Sequence, residues 1–141
     1  MLDDFMALSR ILTGVEKLDA KLGQQYLDRL NGSTFQAKLK ETLDRFRQLK
    51  KGETLVQQVK GKIVAADDLR ASVCQIILLW YTSQIQDNLD LQHPPPSASF
   101  SYGTPEEYFG GLVWQIIGAH PPGLSGGYFG HWRYRPENEP K

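Results

Sequence analysis

From Pro121 to Pro140 the chain sets Tyr128, Phe129, Trp132 and Tyr134 among glycines and prolines, and this tail limits what the rest of the chain can become. Proline fixes φ and removes a backbone donor, and glycine punctuates the remainder, so no regular helix runs through the segment. Its aromatic rings are nonetheless too apolar to be left in water. The tail must lie against something, either the chain's own helices, completing their core, or a second polypeptide. At about 150–250 Å² per ring the four would bury roughly 600–1,000 Å², the scale of one partner's share of an ordinary interface, about 800 Å².

Upstream, apolar residues recur at helical spacing. Phe5, Leu8, Ile11 and Leu12 follow Asp3 and Asp4, whose charges suit a helix N-terminus, and Gly14 ends that helix. Asp19 is placed to cap a second helix bearing Leu22, Tyr26, Leu27 and Leu30, closed by Asn31-Gly32. Ser33 and Gln36 have capping-box spacing ahead of a third, with Phe35, Leu39, Leu43, Phe46 and Leu49 on one stripe and Lys50-Lys51 at its negative end. A short apolar segment, residues 55–64, is interrupted by Gly61. Asp67 and Asp68 then open the most hydrophobic helix, with Leu69, Val73, Ile76, Ile77 and Trp80 on one face and Cys74, Leu78, Leu79 and Tyr81 widening it. This is expected to be the central helix.

Pro94-Pro95-Pro96 and nearby serines give residues 93–103 the character of an extended surface loop. Thr104-Pro105-Glu106-Glu107 supplies an N-cap, a proline at the first helical position and a capping-box acid, so a last helix is expected from there to Gly118, bearing Tyr108, Leu112, Val113, Ile116 and Ile117. No strand alternation competes. The pattern predicts a single all-α domain over residues 1–141, a compact bundle of about five to six helices with a Pro-rich loop and an irregular aromatic tail over residues 119–141.

Charge narrows the function classes. Lys plus Arg equals Asp plus Glu at 16 each, and no segment is basic enough to track a phosphate backbone, so a nucleic-acid partner is not expected. The longest apolar run, residues 76–81, is far short of the roughly 20 residues that cross a bilayer, so no direct membrane insertion is expected. No charged leader or Arg-Arg pair precedes Asp3, so an exported protein would carry its address outside this chain.

Little in the sequence resembles an active site. The carboxylate pairs Asp3-Asp4, Asp67-Asp68 and Glu106-Glu107 are adjacent in sequence and so do not face each other as an acid and base must; capping and dipole roles explain them better. His93, His120 and His131 stand in loops without the spaced partners a metal needs. Ser125-Gly126-Gly127 lacks the lysine and helix start of a phosphate loop. Cys74, the only cysteine, lies in an apolar helix where burial tends to keep a thiol inert. No catalytic, cofactor or metal residue is assigned. The candidates that remain are partner-binding: Tyr128, Phe129, Trp132 and Tyr134 in the tail, with Tyr108 at the last helix. The competing reading is a small enzyme or ligand-binding domain with a pocket between loop and tail, using His120 or His131.

The residues 4–9 with Leu12-Thr13-Gly14 and Leu18-Asp19, the stretch 76–83 ending in Trp80-Tyr81-Thr82-Ser83, and residues 108–114 followed by the aromatic tail resemble, in that order, the small subunit of membrane-bound FAD-dependent sugar and polyol dehydrogenases. The resemblance implies a non-catalytic helical subunit that acts as scaffold and chaperone for a flavin-bearing large subunit, and often exports it on a twin-arginine signal. It places FAD, and an iron–sulfur cluster if there is one, in that large subunit. It adds a multihaem cytochrome c subunit as a further partner and a periplasmic, membrane-associated location through the complex. The chain departs from the family where the tail reads Gly126-Gly127-Tyr128-Phe129-Gly130-His131-Trp132, at the prolines around Pro94, and in having no twin-arginine signal. A cytoplasmic location, with the helical module binding another protein there, is the alternative.

Overall fold

A computed structural model describes residues 1–86, 100–119 and 121. Five helical segments form the body: α1 (Leu2–Thr13), α2 (Ala20–Asn31), α3 (Gln36–Arg47), α4 (Leu55–Val59), which runs on as a π-turn over Lys60–Val64, and α5 (Arg70–Thr82). Two short helices follow, α6 (Pro105–Phe109) and α7 (Val113–Ile116). The expected all-α bundle is what the chain forms, with one small addition. Strands β1 (Gln84–Gln86) and β2 (Phe100–Tyr102) pair antiparallel, Gln84 opposite Tyr102 and Gln86 opposite Phe100.

Central α5 packs on α1, α3 and the π-turn. Val73, Ile76, Leu79 and Trp80 are buried in it, against Phe5 and Leu8 of α1 and Leu39 and Leu43 of α3. Each such side chain taken out of water contributes roughly 1.5–3 kcal/mol. Trp80 is the hub: Phe5 stacks on it at 6.5 Å between ring centroids, and Tyr26 meets it edge-on at 5.0 Å.

The helix ends follow the sequence in part. Asp3 and Asp4 lie in the first turn of α1, and Gly14 ends it at φ 72°. Asp19 caps α2, accepting from the Leu22 amide at 2.8 Å. Three expectations are corrected. The third helix starts at Gln36, with no side-chain cap, because the Ser33 hydroxyl is already engaged in a turn, donating to Leu30 O at 2.8 Å and accepting from the Phe35 amide at 3.1 Å. It ends at Arg47, so Arg45 and Arg47, not Lys50 and Lys51, occupy its last turn. Asp67 and Asp68 precede α5 instead of opening it: Asp67 accepts from Arg70 at 2.7 Å, while Asp68 pairs with Arg45 across the helix interface.

The last helix is two. The Leu112 amide leaves the helical ladder and donates to Trp80 O at 3.0 Å, while Tyr108 O is taken by the Gly111 amide and the Trp114 indole. Residues 100–102, expected within the Pro-rich loop, form β2. Strands of three residues are too short to show a period of two.

Candidate partner-binding face

The end of α5 is where the C-terminal described segment docks. Helix α5 stops at Ser83, which takes the left-handed conformation at φ 55° and turns its carbonyl toward α2. There Arg29 of α2 donates through Nη1 to Ser83 O at 2.9 Å and to the Glu107 carboxylate, and through Nη2 to Ser101 O at 3.2 Å. One guanidinium thus joins α2, the end of α5, β2 and α6. Its planar fork of donors suits such divergent acceptors better than a lysine would.

Glu107 is only 3% exposed. The sequence presents it as a helix-opening acid, and it does lie in the first turn of α6, its amide donating to the Thr104 hydroxyl at 3.3 Å. Its carboxylate instead turns inward onto Arg29. Gly103 lets this happen, because a Cβ there would stand 1.9 Å from Glu107 Oε2. The Tyr26 hydroxyl adds a bond to Glu107 O at 3.2 Å, and burial, with the neighbouring Glu107 carboxylate, pushes its phenol well above the usual range.

On this foundation α6 and α7 present an apolar rim. Tyr108 is half-buried, its ring 5.1 Å from Trp114 and 5.8 Å from Phe109. Trp114 is half-buried too, its indole N–H donating to Tyr108 O at 2.8 Å. Helix α7 buries none of its residues, and Ile116 and Ile117 stand 68% and 57% exposed. The helical spacing of Ile116 and Ile117 reads as a core stripe; the break at Gly110-Gly111 turns both outward. Tyr102 of β2 is 62% exposed. Sequence periodicity misses the two isoleucines, since it tells which residues share a face and not whether that face is covered; Tyr102 falls in the stretch expected at the surface.

Beneath the rim lies a cleft of about 320 Å³ between the start of α2 and α6–α7, lined among others by Lys17, Lys21, Leu22, Trp80, Glu106 and Leu112. It does not suit a dinucleotide. The described residues contain no glycine-rich turn between a strand and a helix N-terminus, and the carboxylates of Asp19 and Glu106 line the same space as the lysines. Among the described residues no group of three His, Cys, Asp or Glu side chains is placed to hold a metal. Cys74 is half-buried, and burial raises its thiol pKa. No described helix is long and apolar enough to cross a membrane.

Of the residues expected from sequence to bind a partner, Tyr108 stands on this face. Tyr128, Phe129, Trp132 and Tyr134, with His93, His120 and His131, lie outside the described residues. Of the two tryptophans expected inside, Trp80 is 1% exposed, whereas Trp114 is half-buried at the rim.

Comparison with known proteins gives one family. The family model described as membrane bound FAD containing D-sorbitol dehydrogenase matches residues 1–93. No curated protein and no solved structure matches the chain.

Proposed function

Because the chain belongs to the family of membrane-bound FAD-containing D-sorbitol dehydrogenase, we propose that it is the small subunit there and serves as the non-catalytic scaffold and folding chaperone of a flavin-bearing large subunit. The chain is an accessory subunit of an FAD-dependent dehydrogenase complex, associated with the FAD-containing subunit and with a membrane-bound assembly. In the proposal the FAD, and any iron–sulfur cluster, belong to the large subunit. A multihaem cytochrome c completes the complex on the periplasmic side, and export of both subunits uses a twin-arginine signal.

The observation that carries the reading is the exposed Ile116–Ile117 pair beside the half-buried Tyr108 and Trp114 rings. A four-residue helix with no fully buried side chain among the described residues has little to stabilise it alone, and its apolar face suits the desolvated centre of an interface. The tail aromatics Tyr128, Phe129, Trp132 and Tyr134 extend that face in the proposal. By binding only the folded large subunit, the small subunit stabilises it through mass action.

The test is coexpression with the flavoprotein. An Ile116→Asp, Ile117→Asp double variant should keep its own melting transition while copurification and flavin loading of the large subunit fall. Unchanged copurification and flavin content would remove the face from the interface. A Trp132→Ala, Phe129→Ala variant tests the tail in the same assay.

A further inference from the structure

Residues 103–119 are fixed to the helical body in an unusual way. Within that segment only Glu107, Gly111 and Leu112 are buried, and Leu112 is the sole large apolar side chain among them. The remaining attachments are polar: Arg29 to Glu107, the Tyr26 hydroxyl to Glu107 O, the Gly103 amide to Ser83 O at 3.2 Å and the Leu112 amide to Trp80 O at 3.0 Å. Helices α1, α2, α3 and α5, by contrast, interlock through Phe5, Leu8, Tyr26, Leu39, Leu43, Ile76, Leu79 and Trp80, each at most 1% exposed.

These two kinds of attachment respond differently to opening. Apolar burial is lost outright when a segment leaves. A closed charge pair has already been stripped of water, and that desolvation is recovered when Glu107 leaves and both groups meet water again, so the pair resists opening far less than its contact suggests. Backbone bonds to Ser83 O and Trp80 O are likewise exchanged for water at small net cost. The segment therefore belongs to the low end of the range of local opening free energies, while the body stands at the global end.

We propose that residues 103–119 form a clasp that opens as one unit while α1, α2, α3 and α5 stay folded, with the Arg29–Glu107 pair as its catch. Closed, the clasp carries Tyr108, Trp114, Ile116 and Ile117 as one ordered surface; open, it uncovers the Tyr26 hydroxyl and the C-terminal end of α5. The inference concerns the free chain and stands whether or not that surface meets a flavoprotein.

Native-state hydrogen exchange on the full chain tests it. The amides of Gly103, Gly110 and Leu112 should share one opening rate, at least about tenfold faster than that of Val73 in α5. Arg29→Lys, which keeps the charge but loses the fork, and Gly103→Ala, which drives a Cβ into the pair, weaken the closed state alone, so each should speed those amides by a further factor of about ten and Val73 by no more than the same factor. Exchange of the clasp amides at the Val73 rate overturns the proposal. So does a clasp rate that neither variant alters, or a urea dependence of the clasp amides as steep as that of Val73, which marks global unfolding.

Discussion

The side chain of Gln75 holds the backbone of Gln86. From inside α5, Gln75 Oε1 accepts from the Gln86 amide at 3.0 Å while its Nε2 donates to Gln84 O at 2.9 Å. A helical side chain thereby acts as the second neighbour of β1, whose other edge pairs with β2. Gln75 is fully buried, and both ends of its amide are satisfied.

Replacing Gln75 with Leu should therefore cost more than its shape suggests. It orphans a buried amide and a carbonyl of β1, each worth about 1–3 kcal/mol. Urea unfolding should show the loss, and the amides of residues 84–86 should exchange faster than those of α1.

Arg29 and Glu107, 78 residues apart in sequence, should behave as a unit. Arg29→Ala leaves the Glu107 carboxylate without its cation, and the loss of stability should stop at the free energy of opening the clasp, because an open clasp returns Glu107 to water. The Arg29→Met, Glu107→Leu pair should recover most of that loss, a coupling read from a double-mutant cycle in denaturant.

Two glycines should respond with opposite sign to the same change. Gly103→Ala forces Glu107 away and destabilises, whereas a Cβ at Gly61 meets nothing within 4 Å. Gly61→Ala, in the π-turn after α4, should stabilise by about 0.4–1 kcal/mol through the unfolded chain. Paired thermal melts separate the two.

Tyr26 should make the fold sensitive to alkali. Its phenol titrates higher when folded than the ordinary 10.0, mainly through burial. The folded state holds the proton more tightly, so this contribution is complete below pH about 10 and is lost as pH rises from there toward the folded value. Tyr26→Phe should flatten the fall in stability above pH about 10, while losing the bond to Glu107 O, about 1 kcal/mol at neutral pH.

The body of the fold was legible because its signals are local. Asp19 with its cap, Gly14 with its positive φ and the stripe of Leu39, Leu43 and Phe46 each act within a turn or two of their own position. The face was much less so. Glu107 looks like any capping-box acid until Arg29 arrives from a distant helix. Ile116 looks like core until Leu112 spends its amide on Trp80 O. Gln75 sits unremarked in an apolar run because a strand too short to advertise itself is what needs it. In each case the deciding partner is far away in sequence, where periodicity carries no information.

The β1–β2 pairing pins Gln86 opposite Phe100, and Gly103, one residue past β2, hands its amide to Ser83 O. A register slip of one residue would shift Gly103 by about 3.3 Å and carry Glu107 away from Arg29. The short sheet therefore works as a ruler, setting where the face beyond it begins.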